Sequence, residues 1–437
     1  MPPAADIGTM YRITPGGALR GAIDVPPDKS ISHRAMMFGA VADGTSRIWN
    51  FLESEDCQAT RDAVSALGAT VERIGPGDYA VTGASLQAPG RPIDCGNAGT
   101  GMRLLAGLLA GQGVDATLVG DESLMQRPMR RIADPLGRMG ADVQTAKTGC
   151  PPLVIGAGAT LRPTVHQLEV ASAQVKSALL LAALGTSGLT KVTEPARSRD
   201  HTERLLPAFG VSLTVENLTI RLRGPQGLKA CDVRVPADPS SAAFFVVAAT
   251  LCPGSDLTIR NVGMNPTRIG FLDVLEAMGA DIARGPLSHV GNEPVCDLRV
   301  RCAALKGIDV PSTWVARTID EFPILFIAAA GAAGMTRVRG ARELRVKETD
   351  RLAAMAAGLK TLGIRTALYD DGIDIDGGEF GAGTVTSAGD HRIAMSFAAA
   401  GAVASGPVAV LDTANVATSF PGFSRLARDV GWRVEDV

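Results

Sequence analysis

The stretch "DKSISHR", from Asp28 to Arg34, concentrates groups that could bind an anion. It directly precedes "AMMFGAVA", which is apolar on nearly every side and therefore predicts a buried helix. A helix N-terminus offers unpaired N–H groups and the positive end of the helix dipole, so anions bind there. The same residues also fit an ordinary cap, with Asp28 or Ser30 accepting hydrogen bonds and the cations lying in solvent. This stretch alone leaves both interpretations open.

Polar groups precede five further apolar runs of the same kind. In four of the six openings these groups exceed what capping needs, and the groups concerned are Lys29 and Arg34, Arg103, Gln174 and Lys176, and Arg392. A cation in the first turn lies at the positive end of the dipole, which is unfavourable by about 0.3–1 kcal/mol unless an anion is bound. The recurrence predicts one anionic ligand where several helix N-termini converge.

Two more segments are rich in cations. In "RVKETDRL", Lys347 and Arg351 are four residues apart, so on a helix they would repel one another on the same face. Glu348 and Asp350 could instead make this a solvated surface of salt bridges. The arginines of "QRPMRR", which are Arg127, Arg130 and Arg131, allow the same two interpretations.

A repeated pattern predicts the elements that position these groups. Six times a helical pattern ends in an apolar residue and a glycine, and a β-prone segment follows, with 68 to 84 residues between successive glycines. Glycine at the C′ position adopts the left-handed conformation without penalty, so it is a natural end for a helix. The six glycines are Gly68, Gly140, Gly210, Gly279, Gly363 and Gly431. We therefore expect six copies of one α/β unit with mixed sheets and a buried helix in each copy.

The six copies fall into two sets of three. "VPPDKS" begins at Val25 and "VPADPSS" begins at Val235, which is 210 residues or three repeats later. Two similar three-repeat domains would meet at these two proline-containing crossings. The prolines fit a hinge, and they fit an ordinary loop equally well.

Composition excludes several classes of function. The chain of 437 residues carries 43 basic and 45 acidic residues, a net charge of −2, so it shows no general nucleic-acid or membrane-binding character. Seven scattered cysteines without C-x-x-C spacing argue for reduced thiols and against a zinc site. The N-terminus lacks the pattern of a signal peptide, and no apolar run is long enough to span a bilayer. We expect a cytoplasmic, soluble protein with no metal and no cofactor, because nucleotide fingerprints and metal-ligand spacings are also missing.

The motifs together resemble a known family. "DKSISHR", "GNAGTGMR", "QRPM", "SAQVKSALLLA", "RVKETDRL" and "GDHRIAMSF" resemble those of the enolpyruvyl transferases, and within them the 5-enolpyruvylshikimate-3-phosphate synthases. The resemblance covers nearly the whole chain in the same order. It implies two domains of three βαβαββ repeats with buried parallel helices, one at residues 27–237 and the other at 1–26 plus 238–437. The active site would lie in the cleft between them.

The resemblance also implies an activity. Members of this family transfer the enolpyruvyl group of phosphoenolpyruvate to the 5-hydroxyl of shikimate 3-phosphate, and they release phosphate through a tetrahedral intermediate. This step belongs to the shikimate pathway of aromatic amino acid biosynthesis. The expected partners are these two small molecules, with no nucleic acid and no membrane, and we expect a monomer.

Roles for individual residues follow from the same resemblance. Asp320 would accept the proton of the attacking hydroxyl, and Glu348 would protonate the methylene carbon of phosphoenolpyruvate. Lys29 would take part in catalysis by contacting both substrates. The implied substrate-binding residues are Lys29, Ser30, Arg34, Asn97, Gly99, Arg127, Ser172, Ala173, Gln174, Asp320, Lys347, Arg351 and Arg392. Glyphosate would compete for the phosphoenolpyruvate site, and an added methyl at Gly99 would crowd it.

Two positions depart from the family pattern. Many members have Ser-Ser-Gln where this chain has Ser172, Ala173 and Gln174, so one hydroxyl to the phosphate is missing. Many also carry a lysine near the C-terminus, whereas "NVATSFPGF" has Ala417 or Thr418 in that neighbourhood. The alternative functions are a UDP-N-acetylglucosamine enolpyruvyl transferase and a repeat scaffold that binds an anionic partner. The first usually has a reactive cysteine where "GDESLMQRPM" has none.

Overall fold

The computed structural model describes residues 9–158 and 160–437, which pack into two compact units. Unit 1 comprises the described part of Met1–Pro26 together with Pro236–His289 and Pro294–Val437. Unit 2 comprises Pro27–Val235 and Val290–Glu293. Residues 1–8, which belong to the expected second domain and to the stretch tested for a signal peptide, lie outside the described residues.

Along the chain, buried helices alternate with more exposed ones, except that the two short helices α8 and α9 follow one another. The α-helices within the described residues are α1 Lys29–Val41, α2 Glu55–Ala66, α3 Gly99–Gln112, α4 Arg130–Arg138, α5 Ala173–Ala183, α6 His201–Ala208, α7 Pro239–Leu251, α8 Gly270–Ala277, α9 Ser312–Thr318, α10 Phe322–Ala330, α11 Arg351–Thr361, α12 His391–Ala402 and α13 Phe423–Asp429. Short 3₁₀ helices cover Leu124–Gln126, Arg342–Val346 and Ala414–Thr418.

The strands are short and lie between these helices. They are β1 Met10–Ile13, β2 Arg20–Ile23, β3 Ala42–Asp43, β4 Thr45–Trp49, β5 Thr70–Gly75, β6 Asp78–Thr82, β7 Ile93–Asp94, β8 Ala116–Val119, β9 Asp142–Gln144, β10 Leu153–Gly156, β11 Val165–Gln167, β12 Gly188–Thr193, β13 Leu213–Glu216, β14 Thr219–Gly224, β15 Leu228–Lys229, β16 Val233–Arg234, β17 Asp256–Gly263, β18 Asp281–Arg284, β19 Ser288–Val290, β20 Glu293–Arg301, β21 Met335–Val338, β22 Arg365–Tyr369, β23 Gly372–Asp376, β24 Gly383–Thr386, β25 Val408–Leu411 and β26 Val434–Asp436.

The main sheets share one topology, in which a parallel edge strand is followed by three antiparallel strands. In unit 2 the strand orders are β16-β4-β6-β5, β7-β8-β10-β9 and β11-β12-β14-β13. In unit 1 they are β2-β17-β20-β18, β24-β25-β1-β26 and β21-β23-β22. Isolated parallel bridges, including Asp309 to Arg337, take the place of the edge strand beside β21. The expected βαβαββ repeat is thereby confirmed, for example in the order β7, α3, β8, α4, β9, β10.

The repeated glycines end their helices as the sequence predicted. All six have a positive φ, between 81° at Gly210 and 106° at Gly68. Each lies at C′ with two backbone bonds of a Schellman motif, such as Gly68 N–H to Ser65 and Ala69 N–H to Val64. The motif turns the chain directly into the next strand.

Each unit has its own apolar core, and one helix of every repeat lies inside it. The buried helices are α1, α3 and α5 in unit 2 and α7, α10 and α12 in unit 1. Their central residues are apolar on all sides because every side of the helix contacts a sheet or another helix. The charged side chains of these helices lie in their first two turns, which is where the candidate site lies.

Candidate functional site

The opening motif of unit 2 contains both a cap and a partly exposed cation. Asp28 caps α1 by accepting a hydrogen bond from the N–H of Ile31 at 2.9 Å. Lys29, whose side chain is 20% exposed, forms an ion pair with the buried Asp56 of α2. The capping interpretation is confirmed for Asp28. It does not account for Lys29, whose side chain is partly exposed beside the helix N-terminus and paired with an acid.

Arg34 lies deeper and links helices. Its Nε donates to Oγ1 of Thr202 at 2.7 Å, Nη2 donates to Oγ of Ser177 at 2.9 Å, and Nη1 donates to the carbonyl of Ser30 at 2.9 Å. These bonds connect α1 to α5 and α6 and hold the carbonyl of Ser30 in place. His33 is also buried, with Nδ1 at 2.7 Å from Oγ1 of Thr60. Burial, together with the positive charges of Lys29 and Arg34, lowers the pKa of His33 well below 6.5.

A second group of predicted residues meets at the start of α3. Nη2 of Arg127 donates to Oδ1 of Asn97 at 2.6 Å, and Nδ2 of Asn97 donates to Oδ2 of Asp121 at 2.7 Å. A Cβ built at Gly99 would lie 2.9 Å from Nη1 of Arg127. The missing side chain of Gly99 therefore makes room for a guanidinium group of the protein itself.

The first turn of α5 carries Ser172, Ala173 and Gln174. Ser172 caps α5 by accepting from the N–H of Val175 at 3.4 Å, and all three residues are partly exposed. Oε1 of Gln174 accepts from Nη1 of Arg103 at 2.6 Å, and its Nε2 donates to Thr100 at 2.8 Å. These two bonds fix the orientation of the Gln174 amide.

Lys176 does not supply a charge for an anionic ligand, contrary to the sequence-based expectation. Its Nζ lies 2.8 Å from Oε2 of Glu194 and 2.7 Å from Oε1 of Glu203, and all three side chains are buried. Burial raises the pKa of Glu203, although the charge of Lys176 opposes this shift. The lysine is neutralised inside unit 2 because a buried charge needs a partner.

In unit 1 the predicted residues form one charged network around Arg351. The Arg351 side chain is 1% exposed, and its Nε lies 2.6 Å from Oδ2 of Asp390. Its Nη2 lies 2.6 Å from Oε2 of Glu348, and its Nη1 lies 3.4 Å from Oδ1 of Asp320. Burial alone would lower the pKa of Arg351, but the three carboxylates outweigh burial and raise it. The guanidinium is therefore permanently charged, and it fixes the positions of two predicted catalytic carboxylates.

Two further cations meet Asp320. Nζ of Lys347 lies 3.1 Å from Oδ1 of Asp320, and Nη1 of Arg392 donates to the Asp320 carbonyl at 3.0 Å. Nη1 of Arg392 also lies 3.7 Å from Oε1 of the buried Glu321. Asp320, Lys347, Glu348, Arg351 and Arg392 are thus brought together within one unit.

The helical interpretation of "RVKETDRL" is wrong. The helix α11 begins only at Arg351, with Asp350 as its cap, and the 3₁₀ helix Arg342–Val346 ends before Lys347. Lys347 and Arg351 therefore do not share a helix face, and both lie against Asp320. Glu348 and Asp350 do form salt bridges, to Arg351 and Arg345 respectively, but the expected solvated surface is wrong because the Arg351 side chain is only 1% exposed.

The arginines of "QRPMRR" do not converge. Arg127 is buried against Asn97, whereas Arg130 is exposed and its Nη2 donates to the carbonyl of Lys147 at 3.4 Å. In the C-terminal segment "NVATSFPGF", Thr418 is buried, and its hydroxyl donates to the carbonyl of Asn415 at 2.7 Å.

Sequence reasoning missed the residues that orient the site. Asp56, Asp121 and Asp390 contact Lys29, Asn97 and Arg351 respectively. Their signal in the sequence is weak, because an acid near a helix start is normally a cap or a dipole partner. Asp390 is in fact also a cap, since it accepts from the N–H of Arg392 at 2.8 Å.

The described residues contain neither a helix that could cross a membrane nor a cluster that could hold a metal ion. No helix in that part of the chain combines the length and the apolar character needed to cross a bilayer. No group of three or more His, Cys, Asp or Glu is arranged there to hold a metal ion. The seven cysteines, all of which are described, are free.

Solved structures define the fold class. The chain is similar to an EPSP synthase from Acinetobacter baumannii, with a TM-score of 0.87 and 46% identity over 98% of this chain and 100% of that one. It also matches the enolpyruvyl transferase NikO from Streptomyces tendae, with a TM-score of 0.79 over 98% of this chain and 99% of that one, although identity is only 19%. The fold is that of the enolpyruvyl transferases.

Sequence relatives identify the family within this class. The chain is 55% identical over 420 residues to a 3-phosphoshikimate 1-carboxyvinyltransferase of Xanthomonas campestris pv. campestris (strain B100), which covers 95% of this chain and 96% of the relative. The corresponding protein of Xanthomonas axonopodis pv. citri (strain 306) is 54% identical over 423 residues, or 96% of each chain. The model of the EPSP synthase (3-phosphoshikimate 1-carboxyvinyltransferase) family matches residues 13–426. The chain belongs to this family.

Proposed function

We propose that the chain transfers the enolpyruvyl group of phosphoenolpyruvate to the 5-hydroxyl of shikimate 3-phosphate, with release of phosphate. Family membership supports the reaction, which is a step in the shikimate pathway of aromatic amino acid biosynthesis. The observation that carries the proposal is the network in which Asp320 and Glu348 are held by one buried arginine. Such a network supplies two carboxylates for proton transfer beside fixed positive charge.

In the addition step the 5-hydroxyl oxygen bonds to C2 of phosphoenolpyruvate. Asp320 accepts the hydroxyl proton, and Glu348 donates a proton to C3, which becomes a methyl group. In the elimination step Glu348 takes a proton back from that methyl group, the C2–O bond to phosphate breaks, and the leaving phosphate takes the proton that Asp320 accepted. Before Glu348 can donate, it must leave the guanidinium of Arg351, and an anionic substrate is the group that would displace it.

The cations and amides would bind the substrates. Lys29, Ser30, Arg34, Ser172 and Gln174 would hold shikimate 3-phosphate, and Lys29 would also contact phosphoenolpyruvate. Arg127, Arg351 and Arg392 would hold phosphoenolpyruvate, since a guanidinium pairs with carboxylate and phosphate through two hydrogen bonds. The remaining proposed contacts come from Asn97, Gly99, Ala173 and Lys347. The two substrates bring several negative charges, which explains why so many cations surround the helix starts.

These residues belong to both units, and we propose that the substrates are bound by both sets together, in a cleft that closes on shikimate 3-phosphate. Closure predicts a smaller radius of gyration in solution scattering when this ligand is added. An unchanged scattering profile at saturation would contradict closure. We further propose that the protein works as a monomer in the cytoplasm and that glyphosate competes with phosphoenolpyruvate.

A phosphate-release assay tests the function. Phosphate should appear only when both phosphoenolpyruvate and shikimate 3-phosphate are present, and omission of either one should abolish it. Replacing shikimate 3-phosphate by UDP-N-acetylglucosamine tests the alternative transferase and should give no phosphate. Release with the nucleotide sugar and none with shikimate 3-phosphate would reverse the assignment, and no turnover with either would favour a binding scaffold.

A further inference from the structure

The segment that carries Lys347 and Glu348 is a short loop without regular structure. The 3₁₀ helix ends at Val346 and α11 begins at Arg351, so residues 347–350 form the loop, which we call the 347–350 loop. Both side chains point into the charged network, Lys347 toward Asp320 and Glu348 toward Arg351. Proton transfer requires that the positions of such side chains be fixed to within a fraction of an ångström. A loop without regular hydrogen bonding does not ensure this by itself.

Arg345 connects the two ends of this loop. Its Nη1 lies 2.6 Å from Oδ2 of Asp350. This ion pair therefore joins a residue just before the loop to the last residue of the loop. The other carboxylate oxygen of Asp350 caps α11 by accepting from the N–H of Ala353 at 3.0 Å. Asp350 therefore couples Arg345 to the helix on which Arg351 is the first residue.

The same guanidinium is anchored to a hairpin. Nε of Arg345 donates to the carbonyl of Asp370 at 2.7 Å, and its Nη2 donates to the carbonyl of Tyr369 at 2.7 Å. These carbonyls lie in the turn between β22 and β23, and β23 contributes the fully buried Ile373 and Ile375 to the core of unit 1. All three guanidinium nitrogens of Arg345 are thus bonded to the protein, so this arginine supports the site without needing a ligand.

We propose that Arg345 is a positioning residue that holds the 347–350 loop in its catalytic geometry, an inference that rests on the proposed function. A partly exposed ion pair contributes little to global stability. The bonds to two carbonyls of a rigid turn and to a helix cap instead give Arg345 a local effect on where Glu348 and Lys347 lie. Loss of these bonds allows the loop to move away from Asp320 and Arg351.

The test compares Arg345→Ala and Arg345→Lys with Arg339→Ala. Arg339 is a matched control because it also lies against Tyr369, with its guanidinium 4.0 Å from the ring centroid, but its ion pair is to Asp374 in β23. We expect Arg345→Ala to lower kcat by about 10²-fold, since displacement of a catalytic group by about 1 Å has an effect of that size. Lysine reaches Asp350 but not both carbonyls, so Arg345→Lys should recover part of the loss. The KM for shikimate 3-phosphate and the Tm should match those of Arg339→Ala.

The outcomes are distinct. If the wild-type protein releases no phosphate from the two substrates, the proposed function fails before Arg345 is tested. If the wild type is active and Arg345→Ala keeps its kcat, the positioning role is wrong. A lower Tm with an unchanged kcat of the folded fraction, or an equal loss in Arg339→Ala, would likewise show that Arg345 serves only the stability of the hairpin.

Discussion

The N-termini of α1 in unit 2 and α7 in unit 1 occupy the same place in their repeats, but their cations have different environments. Asp28 and Asp238 both cap their helices, and both caps follow a valine–proline crossing. In unit 2 the cation is Lys29 on the first turn, paired with Asp56 and 20% exposed. In unit 1 that helical position is Pro239, and the cation is Arg268, which is 1% exposed.

The difference fits the proposed roles, in which Lys29 binds substrate and Arg268 is structural. Nη2 of Arg268 lies 2.8 Å from Oδ1 of Asp238 and 2.9 Å from Oγ of Ser240, so it reinforces the cap from inside the core. Lys29 keeps part of its surface in contact with solvent, where an anion can reach it. The two cations beside these corresponding helix starts thus differ in their exposure and in their position along the chain, although both are positively charged.

The largest effect is expected from removing the buried cation of this comparison, Arg268. Arg268→Met should lower the free energy of unfolding by about 3–5 kcal/mol, because it leaves the carboxylate of Asp238 buried without its cation. Chemical denaturation measures the loss, and kinetics at a low temperature should give a KM close to that of the wild type. Lys29→Met is the counterpart, and its main effect should be a higher KM. A raised KM in Arg268→Met without loss of stability would mean that α7 also binds ligand.

Removing the proposed proton-transfer groups should have the next largest effect. Asp320→Asn and Glu348→Gln keep the side-chain shape but cannot exchange protons, so kcat should fall by about 10²-fold or more. Steady-state phosphate release measures this, with Asp309→Asn as the control because that carboxylate is an exposed partner of Arg337. A near-normal kcat in both variants would show that Asp320 and Glu348 of unit 1 do not carry out the proton transfers.

A methyl group at Gly99 should have an intermediate effect. In Gly99→Ala the new Cβ would lie 2.9 Å from Nη1 of Arg127 and 3.3 Å from Nη1 of Arg103, so both guanidinium groups must shift. Overpacking typically costs about 1–3 kcal/mol, or about 5- to 150-fold in affinity, and we expect the glyphosate Ki to rise at least about tenfold. The KM for phosphoenolpyruvate should rise less, because the substrate is more compact than the inhibitor.

Gly137→Ala is the control for this substitution, since nothing lies within 4 Å of a Cβ at that helical position. Inhibition is measured against varied phosphoenolpyruvate. Noncompetitive inhibition, or equal losses for both ligands, would contradict a shared site at Gly99.

The smallest expected effect is a pH dependence of stability at α1. The pKa of His33 is lowered by burial and by the adjacent cations, so the folded protein keeps this ring neutral while the unfolded chain protonates it near pH 6.5. The unfolded state therefore binds more protons as the pH falls below 6.5, and stability falls by at most about 1.4 kcal/mol per pH unit from this group. Denaturation of wild type and His33→Asn between pH 7 and pH 5 measures the difference. Identical slopes would show that His33 is not responsible.

Much of the fold was readable from local patterns. The six C′ glycines, the six buried helices and the caps at Asp28 and Asp238 depend on residues within one or two helical turns of each other. Periodicity and capping are short-range effects, so a single sequence reveals them. The residues around Arg351 were also named from their motifs, and the structure brings them into one charged network. Their roles stay a proposal.

Charge pairing was not readable in this way. Its position at a helix start predicts that Lys176 binds a ligand, but its partners Glu194 and Glu203 follow 18 and 27 residues later and meet it only after α5 and α6 pack. The strand β1 joins the last sheet of the chain by pairing with β25 and β26, which no local pattern indicates.

The sequence by itself therefore determined the six helix ends at glycine, the cap at Asp28 and the polar groups that gather at the helix starts, but not where α11 begins. Only the tertiary structure decided that the Lys29 side chain stays partly exposed, whereas Lys176 and Arg268 are buried and paired with acidic side chains. The physical reason is that burial makes an unpaired charge very costly, and the partner that relieves this cost comes from a distant part of the chain.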